Sequence, residues 1–484
     1  MEKAIVIIGG GLTGLAAGSY GRMNGYKTTI FEMHNIAGGV ATAWKRKGYT
    51  IDGAMNWLMG SKPGTSFYHF WEELGAAPGW KIYNNDRQSI TENREGKAFT
   101  VYCDADRMEN YLLEIAPQDE APIKEFTGAV RSFNLAVPTD RPSELYSLLG
   151  RNKWSKVTTK QYAQRFRNPF LREMFVSAFG ADFPLSMSMM TLAMQNQKSA
   201  GYVIGGARAL VNSIEKRYKA LGGEVYLGAR VEKILVENHK AVGIKLVDGT
   251  EYHADWVISA ADGRTTIFDM LGGKYIDDEI RNKYEHPNLF APLVYVALGV
   301  NRKFDDVPPT INGFKYPLKK PYTVAGKERT TLNLHLYNFD PTLAPPGKNV
   351  VVVVFETNYD YWKKLRENPD AYNAEKEKIT DEVIAGLEER FPGITTQIEM
   401  RDVATPITWE RYTGNWRGAY EGWMLDSESL MSDMKKTLPG LDNFFLAGQW
   451  VNPGGGMPTA VMSGNHTIQM ICKKDGKKFI ATKP

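Results

Sequence analysis

"AIVIIGGGLTGLAAGSYG", residues 4–21, carries no charge over eighteen residues, about the length that crosses a bilayer. Six of those residues are glycine and the preceding pair is Glu2-Lys3, not the basic flank of a signal peptide. The stretch therefore reads as a buried strand (3–8, "KAIVII"), a glycine turn, and a helix over 12–24 with Leu12, Leu15, Ala16 and Met23 on its face. Gly25 ends that helix, and "KTTIFE" (27–32) is a second strand. Within the turn, Gly9, Gly11 and Gly14 form a GxGxxG pattern. The first glycine permits the tight turn, the second lets backbone approach a pyrophosphate, and the third lets helix pack on strand. Leu12 and Thr13 open the helix, whose free N–H groups and positive dipole end suit phosphate. Glu32 closes the second strand, placed to accept from ribose hydroxyls, with Met33 beside it. The unit is expected to bind a dinucleotide.

Two more blocks have the same character. Over 210–262 an amphipathic helix carries Leu210, Ile214, Arg217, Tyr218 and Leu221 at helical spacing and stops at Gly222-Gly223. Short strands come next, the last being "DWVISAA", which ends in small residues as a strand abutting a ligand should. Over 440–472 the strand "DNFFLAG" leads through a second glycine cluster, 454–456, into the helix "PTAVMSGNHTIQMIC". Between the blocks lie insertions at about 85–200 and 265–425, with strands expected at 293–300, 330–337 and 349–356 and a helix at 381–391. The expected fold class is α/β: a Rossmann-like dinucleotide-binding domain assembled from 1–84, 201–264 and 426–484, and a mixed α/β substrate domain from 85–200 and 265–425.

Composition agrees with two or three domains in 484 residues, at roughly 100–200 residues each. With 59 basic and 55 acidic residues the chain carries +4, which gives no nucleic-acid footprint. Cys103 and Cys472 are too few for a disulfide framework and fit a reducing, cytoplasmic setting. His34, His69, His239, His253, His286, His335 and His466 are scattered without ligand spacing, so no metal site is expected. The tail "KKDGKKF" (473–479) offers a peripheral contact with anionic lipid, against the plainer reading of a solvated terminus.

The residues after Glu32 favour FAD over a nicotinamide. Gly38-Gly39 can turn the chain along the pyrophosphate and ribityl chain of an extended cofactor, with a simple loop as the alternative. "GYTIDGAMNW" (48–57) then offers Gly53, Ala54, Met55 and Asn56, small enough at its start to lie beside a ring system.

In order along the chain stand "IIGGGLTGLAAG", "FEMHNIAGGVATAW", "GYTIDGAMNWL", "GGARALVNSIEKRYKALGGEVYLGARVEKI", "WVISAAD", "VATPITWERYTGN" and "FFLAGQWVNPGGGMPTAVMSG". Together these blocks resemble the FAD-dependent phytoene desaturases, carotenoid isomerases and retinol saturases, part of the larger group with the amine oxidases and Rab GDP-dissociation inhibitors. They cover about half the chain. The resemblance implies that Val231 meets the adenine through its backbone and that Ala260 and Ala261 lie near the adenosine. It implies further that Val40 and Ala41 continue the Gly38-Gly39 pair, that Gly448 opens the C-terminal flavin motif with Gln449 next, and that Met457, Pro458 and Thr459, after Gly456, lie beside the flavin pyrimidine edge. Two positions depart from the family pattern: Val40 stands where many relatives have Arg, and Gln449 where many have Asp.

The implied reaction is hydride transfer between a carbon centre and flavin N5, which desaturates, saturates or isomerises C=C bonds of an apolar, isoprenoid or lipid-like substrate. The external electron donor or acceptor is not legible. Glu410 and Tyr412, just ahead of the C-terminal block, are candidates for substrate contact or proton transfer, with a structural salt bridge as the alternative for Glu410. The Phe- and Met-rich stretch 170–194 suits a lipid tunnel mouth or a membrane-facing patch, with ordinary core packing as the plainer reading. Amine oxidation, a nicotinamide-only dehydrogenase and a non-catalytic binding protein like the Rab inhibitors are the competing readings.

Overall fold

The computed structural model describes residues 2–77, 79–133, 153–424 and 435–484. Its central feature is a five-stranded parallel sheet gathered from distant parts of the chain. The elements that build and flank it are, in order, β1 (Ala4–Ile8), α1 (Leu12–Met23), β2 (Lys27–Glu32), α2 (Leu185–Asn196), α3 (Gly206–Ala220), β3 (Glu224–Leu227), β4 (Trp256–Ser259), α4 (Pro406–Thr413), β5 (Phe444–Leu446) and α5 (Met457–Lys474). The strand order is β3-β2-β1-β4-β5. Register places Ile8 beside Phe31 and Ser259, and Ser259 beside Leu446, so the carboxyl ends of these strands finish level along one edge. In open parallel sheets that edge is where ligands bind.

Alternation along β1 sorts the two faces. Ile5 and Ile7 join the core formed with α1, α3 and α5, whereas Val6 and Ile8 join one formed with the antiparallel sheet of Val231–Glu237, Lys240–Leu246 and Glu251–His253. A parallel strand covered on both sides reads as continuously apolar, which is why "AIVII" has no polar alternation.

Close helix packing on α1 depends on glycine. A Cβ on Gly18 would lie 2.7 Å from the Tyr218 ring of α3. A Cβ on Gly464 of α5 would lie 2.6 Å from the Thr13 carbonyl oxygen and 2.8 Å from the Ala17 nitrogen. Tyr218 completes its burial by donating from its hydroxyl to the Thr28 carbonyl at 2.9 Å.

A second sheet of seven strands takes all its members from the two insertions: Ile398–Ala404, Leu293–Val300, Asn349–Glu356, Lys327–Leu336, Phe314–Val324, Arg87–Glu92 and Ala98–Tyr102, in that order. It is mixed, since Phe314–Val324 runs parallel to Arg87–Glu92 while its other pairs are antiparallel. The helix expected at 381–391 covers it but begins twelve residues earlier, spanning Pro369–Arg390. Asn368 caps that helix by accepting from the Asp370 and Ala371 amides at 3.1 Å, and Pro369 suits its first position. The first half is mostly polar and exposed, so apolar spacing did not announce it. The division expected at 425/426 lies outside the described residues. No described helix is long and apolar enough to cross a membrane.

Candidate cofactor and substrate site

At the level edge of the parallel sheet lies a cavity of about 520 Å3, within the range of small-molecule sites. Its walls bring together residues more than 400 positions apart in sequence, from Gly9 to Thr459. Of the residues expected to hold cofactor, Gly9, Gly11, Leu12, Thr13, Glu32, Met33, Gly38, Gly39, Val40, Ala41, Ala54, Asn56, Val231, Ala260, Ala261, Gly448, Gln449, Gly456, Met457, Pro458 and Thr459 line it. Three do not. Gly14 lies beneath the turn, where a Cβ would overlap the Gly9 carbonyl oxygen. Gly53 is packed against Trp409 and Trp44, and Met55 is buried in the core.

The first glycine turn has one geometry with several causes. Gly9 takes φ +97, and the Gly38 amide donates to the Gly10 carbonyl at 2.9 Å, holding the second glycine pair against the first. Gly10 leaves room for Glu32, whose Oε2 accepts from the Gly10 amide at 2.7 Å and whose Oε1 accepts from the His34 amide at 2.8 Å. Burial pushes the Glu32 carboxyl up, and these amides oppose the shift. Each carboxylate oxygen retains a second acceptor site, available to hydroxyls in the cavity.

Two features fit a bound dinucleotide. Helices α1 and α5 both begin at the cavity, neither has an N-cap side-chain hydrogen bond, and neither has an acidic residue in its first turn. Their positive ends therefore face the void, which favours an anion at each. Gly11 supplies the second feature. It has an ordinary φ of −69, and a Cβ there would meet nothing nearer than the Gly39 Cα at 3.8 Å. The protein does not fill that space, so the missing side chain leaves it to a ligand.

The segment at the end of β4 and the loop before α5 complete the enclosure. Asp262 accepts from the Thr265 and Trp416 amides, both at 2.8 Å, tying the end of β4 to the segment after α4. Burial pushes its carboxyl up to about 6. Asp52 acts similarly at α3: it accepts from Ala54 and Met55 at 2.8 Å and from Ala207 at 2.6 Å, serving as a distant cap for a helix whose N-cap position is Gly205. Burial pushes Asp52 up to about 6 as well.

Another stretch of wall is apolar: Trp57 and Met59, with Phe183, Met187 and Met190 in and before α2. Phe183 is 46% exposed, so the cavity reaches the surface there. The Phe/Met-rich stretch is divided: Phe183, Met187 and Met190 line the cavity, while Met174 and Met189 are buried in a helical core.

The acid candidates require correction. Neither Glu410 nor Tyr412 is among the lining residues. Glu410 accepts from the Tyr359 hydroxyl at 2.7 Å, and Tyr412 is 44% exposed with its ring edge-on to His34. Helix α4 directs both side chains away because its buried face is Pro406 and Trp409. Sequence reasoning missed Tyr420, Glu421 and Asp262, all cavity-lining. The available signal was an acid inside an otherwise apolar, glycine-flanked run, "GAYEGWM" (418–424).

A parallel sheet of discontinuous segments, a ligand cavity at its carboxyl edge and two uncapped helix starts define a dinucleotide-cofactor protein of the flavoprotein type. The chain belongs to the flavin containing amine oxidoreductase family, which matches residues 12–470. Its cofactor is FAD, and it is an FAD-dependent oxidoreductase. It is 26% identical to 4,4'-diaponeurosporene oxygenase of Staphylococcus aureus, over 99% of both chains. It is 24% identical to the chloroplastic prolycopene isomerase of Daucus carota, over 96% of this chain and 79% of that one. Among solved structures, an oxidoreductase from Methanosarcina mazei superposes with a TM-score of 0.64 at 16% identity, covering 96% of this chain and 100% of that one.

Proposed function

We propose that this protein adds, removes or shifts C=C bonds in an apolar, isoprenoid-type substrate. The observation that carries the reading is the Trp57, Met59, Phe183, Met187 and Met190 wall, which continues the cofactor cavity out to the surface. Met side chains adapt to irregular apolar shapes, and an elongated hydrocarbon can enter past Phe183. The two carotenoid-named relatives agree with such a substrate.

FAD, when bound, supplies two-electron hydride exchange at its N5. The residues of the chain bind and orient. Gly9, Gly11 and the first turn of α1 receive the pyrophosphate, Glu32 the adenosine ribose, and the start of α5 the pyrimidine edge, where its positive end favours negative charge. The apolar wall would exclude water and hold an apolar substrate beside the cofactor, and such positioning supplies much of the rate in hydride chemistry.

Product analysis tests this. FAD-loaded protein incubated with a series of polyenes is expected to yield a product changed by two hydrogens, or an isomer of unchanged mass. Turnover of amines with no change in any polyene would establish the amine oxidase reading instead.

A further inference from the structure

Glu421 is the one cavity carboxyl whose oxygens no described residue engages. Glu32 is held by the Gly10 and His34 amides, and Asp262 by the Thr265 and Trp416 amides. The Arg230 guanidinium, also on the wall, is turned to the Met33 sulfur at 3.8 Å. Glu421 lines the same cavity with no hydrogen bond or ion pair among the described residues. A half-buried carboxyl that meets no partner among the described residues and opens on the cavity is free to engage a ligand there.

Its surroundings hold it in place. A Cβ on Gly455, the middle of the three glycines before α5, would overlap the Glu421 Cβ and lie 2.9 Å from its carboxyl carbon. Gly455 thus leaves the space that Glu421 fills. Next to it, the Tyr420 hydroxyl donates to the Gly53 carbonyl at 3.0 Å, and the Phe290 amide donates to the Gly422 carbonyl at 3.0 Å. Across Gly422 stands the uncharged Gln449. Among the described residues, the titratable and charged groups that bear on this segment are Tyr420, whose own ionisation is opposed by burial and then by Glu421, Asp52 and Tyr337, and Lys283, whose ammonium lies 4.9 Å from the Trp423 ring. Desolvation alone pushes the Glu421 carboxyl up to about 7.

We propose that Glu421 is the proton-exchanging residue of the reaction, positioned against the glycine loop that opens α5. The inference rests on the C=C reading above. Forming a C=C bond from two adjacent C–H carbons removes two hydrogens. One leaves with its bonding pair as hydride to oxidised FAD; the other leaves as a proton to a Glu421 carboxylate oxygen, and the pair it leaves behind becomes the π bond. Saturation runs both transfers in reverse, with the Glu421 carboxylic acid as donor. A group titrating near 7 serves in either direction at neutral pH.

The test uses FAD-loaded protein and two readouts. Difference infrared spectra across pH 5 to 9 are expected to show a carboxylic-acid band that disappears near pH 7 in the wild type and is absent in Glu421→Gln. Polyene turnover is expected to show a limb at the same pH, rising with pH for desaturation and falling for saturation. Glu421→Gln should remove the limb and lower the rate about 100-fold or more, while Glu421→Asp keeps a displaced limb. A wild type without the infrared transition, or a limb that persists in Glu421→Gln, would overturn the assignment. Failure of every polyene with the infrared transition intact would sink the C=C reading and, with it, the role given to Glu421, while leaving its titration established.

Discussion

Gly11 and Gly14 are three residues apart in one motif, and the structure gives them different reasons to be glycine. A Cβ at Gly14 would strike the protein's own backbone at Gly9, whereas one at Gly11 would enter open cavity. Gly14→Ala is therefore expected to destabilise the cofactor-free protein by at least about 2 kcal/mol, because backbone must move. Gly11→Ala should leave the cofactor-free melting curve nearly unchanged and weaken FAD binding at least tenfold, about 1.4 kcal/mol. Denaturant unfolding without FAD, beside FAD titration of the same variants, checks both. Asp52 gives a prediction in pH. Its folded pKa, about 6, lies above the ordinary carboxylate value, so the folded state holds its proton more tightly than the unfolded chain. The stability linked to that proton is full below about pH 4 and is lost as pH rises through about 6. Asp52→Asn removes this dependence, so its unfolding free energy should fall less than the wild type's between those limits. Asp52→Ala leaves the Ala54, Met55 and Ala207 amides without an acceptor and should cost about 2–3 kcal/mol at any pH. At this scale the sequence was legible where spacing carries a meaning, as in the glycine turn and Glu32. It was not legible where meaning depends on what folds nearby: Glu410 and Glu421 are eleven residues apart, and only the turn after α4 decides which one meets the cavity.

At the scale of elements, the junction of α1 and α5 sets the distance between the two helix starts that open on the cavity. Gly464 permits that junction, since the Thr13 carbonyl and Ala17 amide of α1 occupy the place of a side chain. Gly464→Ala should push α5 outward, cost about 1–3 kcal/mol, and shift the absorbance bands of bound FAD as the Met457–Thr459 turn is displaced. An unshifted spectrum at full occupancy would show that α5 does not reach the flavin. Elements such as β1 and the strands at 293–300 and 349–356 were legible because buried apolar runs bounded by turns leave few alternatives. Helix Pro369–Arg390 was legible only in its second half, where Val383, Ile384 and Leu387 pack on the seven-stranded sheet. Its earlier turns stem from an Asn-Pro start rather than from an apolar face.

At the scale of the whole molecule, three separate stretches of the chain build one sheet, and each delivers cavity wall: residues 9, 11–13 and 38–41, then 229–231 and 260–262, then 447–450 and 454–460. The two glycine clusters near opposite ends of the sequence are thereby brought to a single void. The insertions contribute the apolar wall at α2 and the segment carrying Glu421. The arrangement was readable as separate nucleotide-fold blocks, but no local pattern states which insertion residue turns toward the cofactor, because that depends on long-range packing. The most direct measurement of the central claim is anaerobic. FAD-loaded protein is reduced chemically and mixed with polyenes, lipid enones and amine-derived imines while the flavin absorbance is monitored. Return of the oxidised band on adding a polyene or lipid enone, with a product two hydrogens richer in equal amount, or conversion of the polyene to an isomer with the band unchanged, is the expected result. Reoxidation by imines alone would contradict the account.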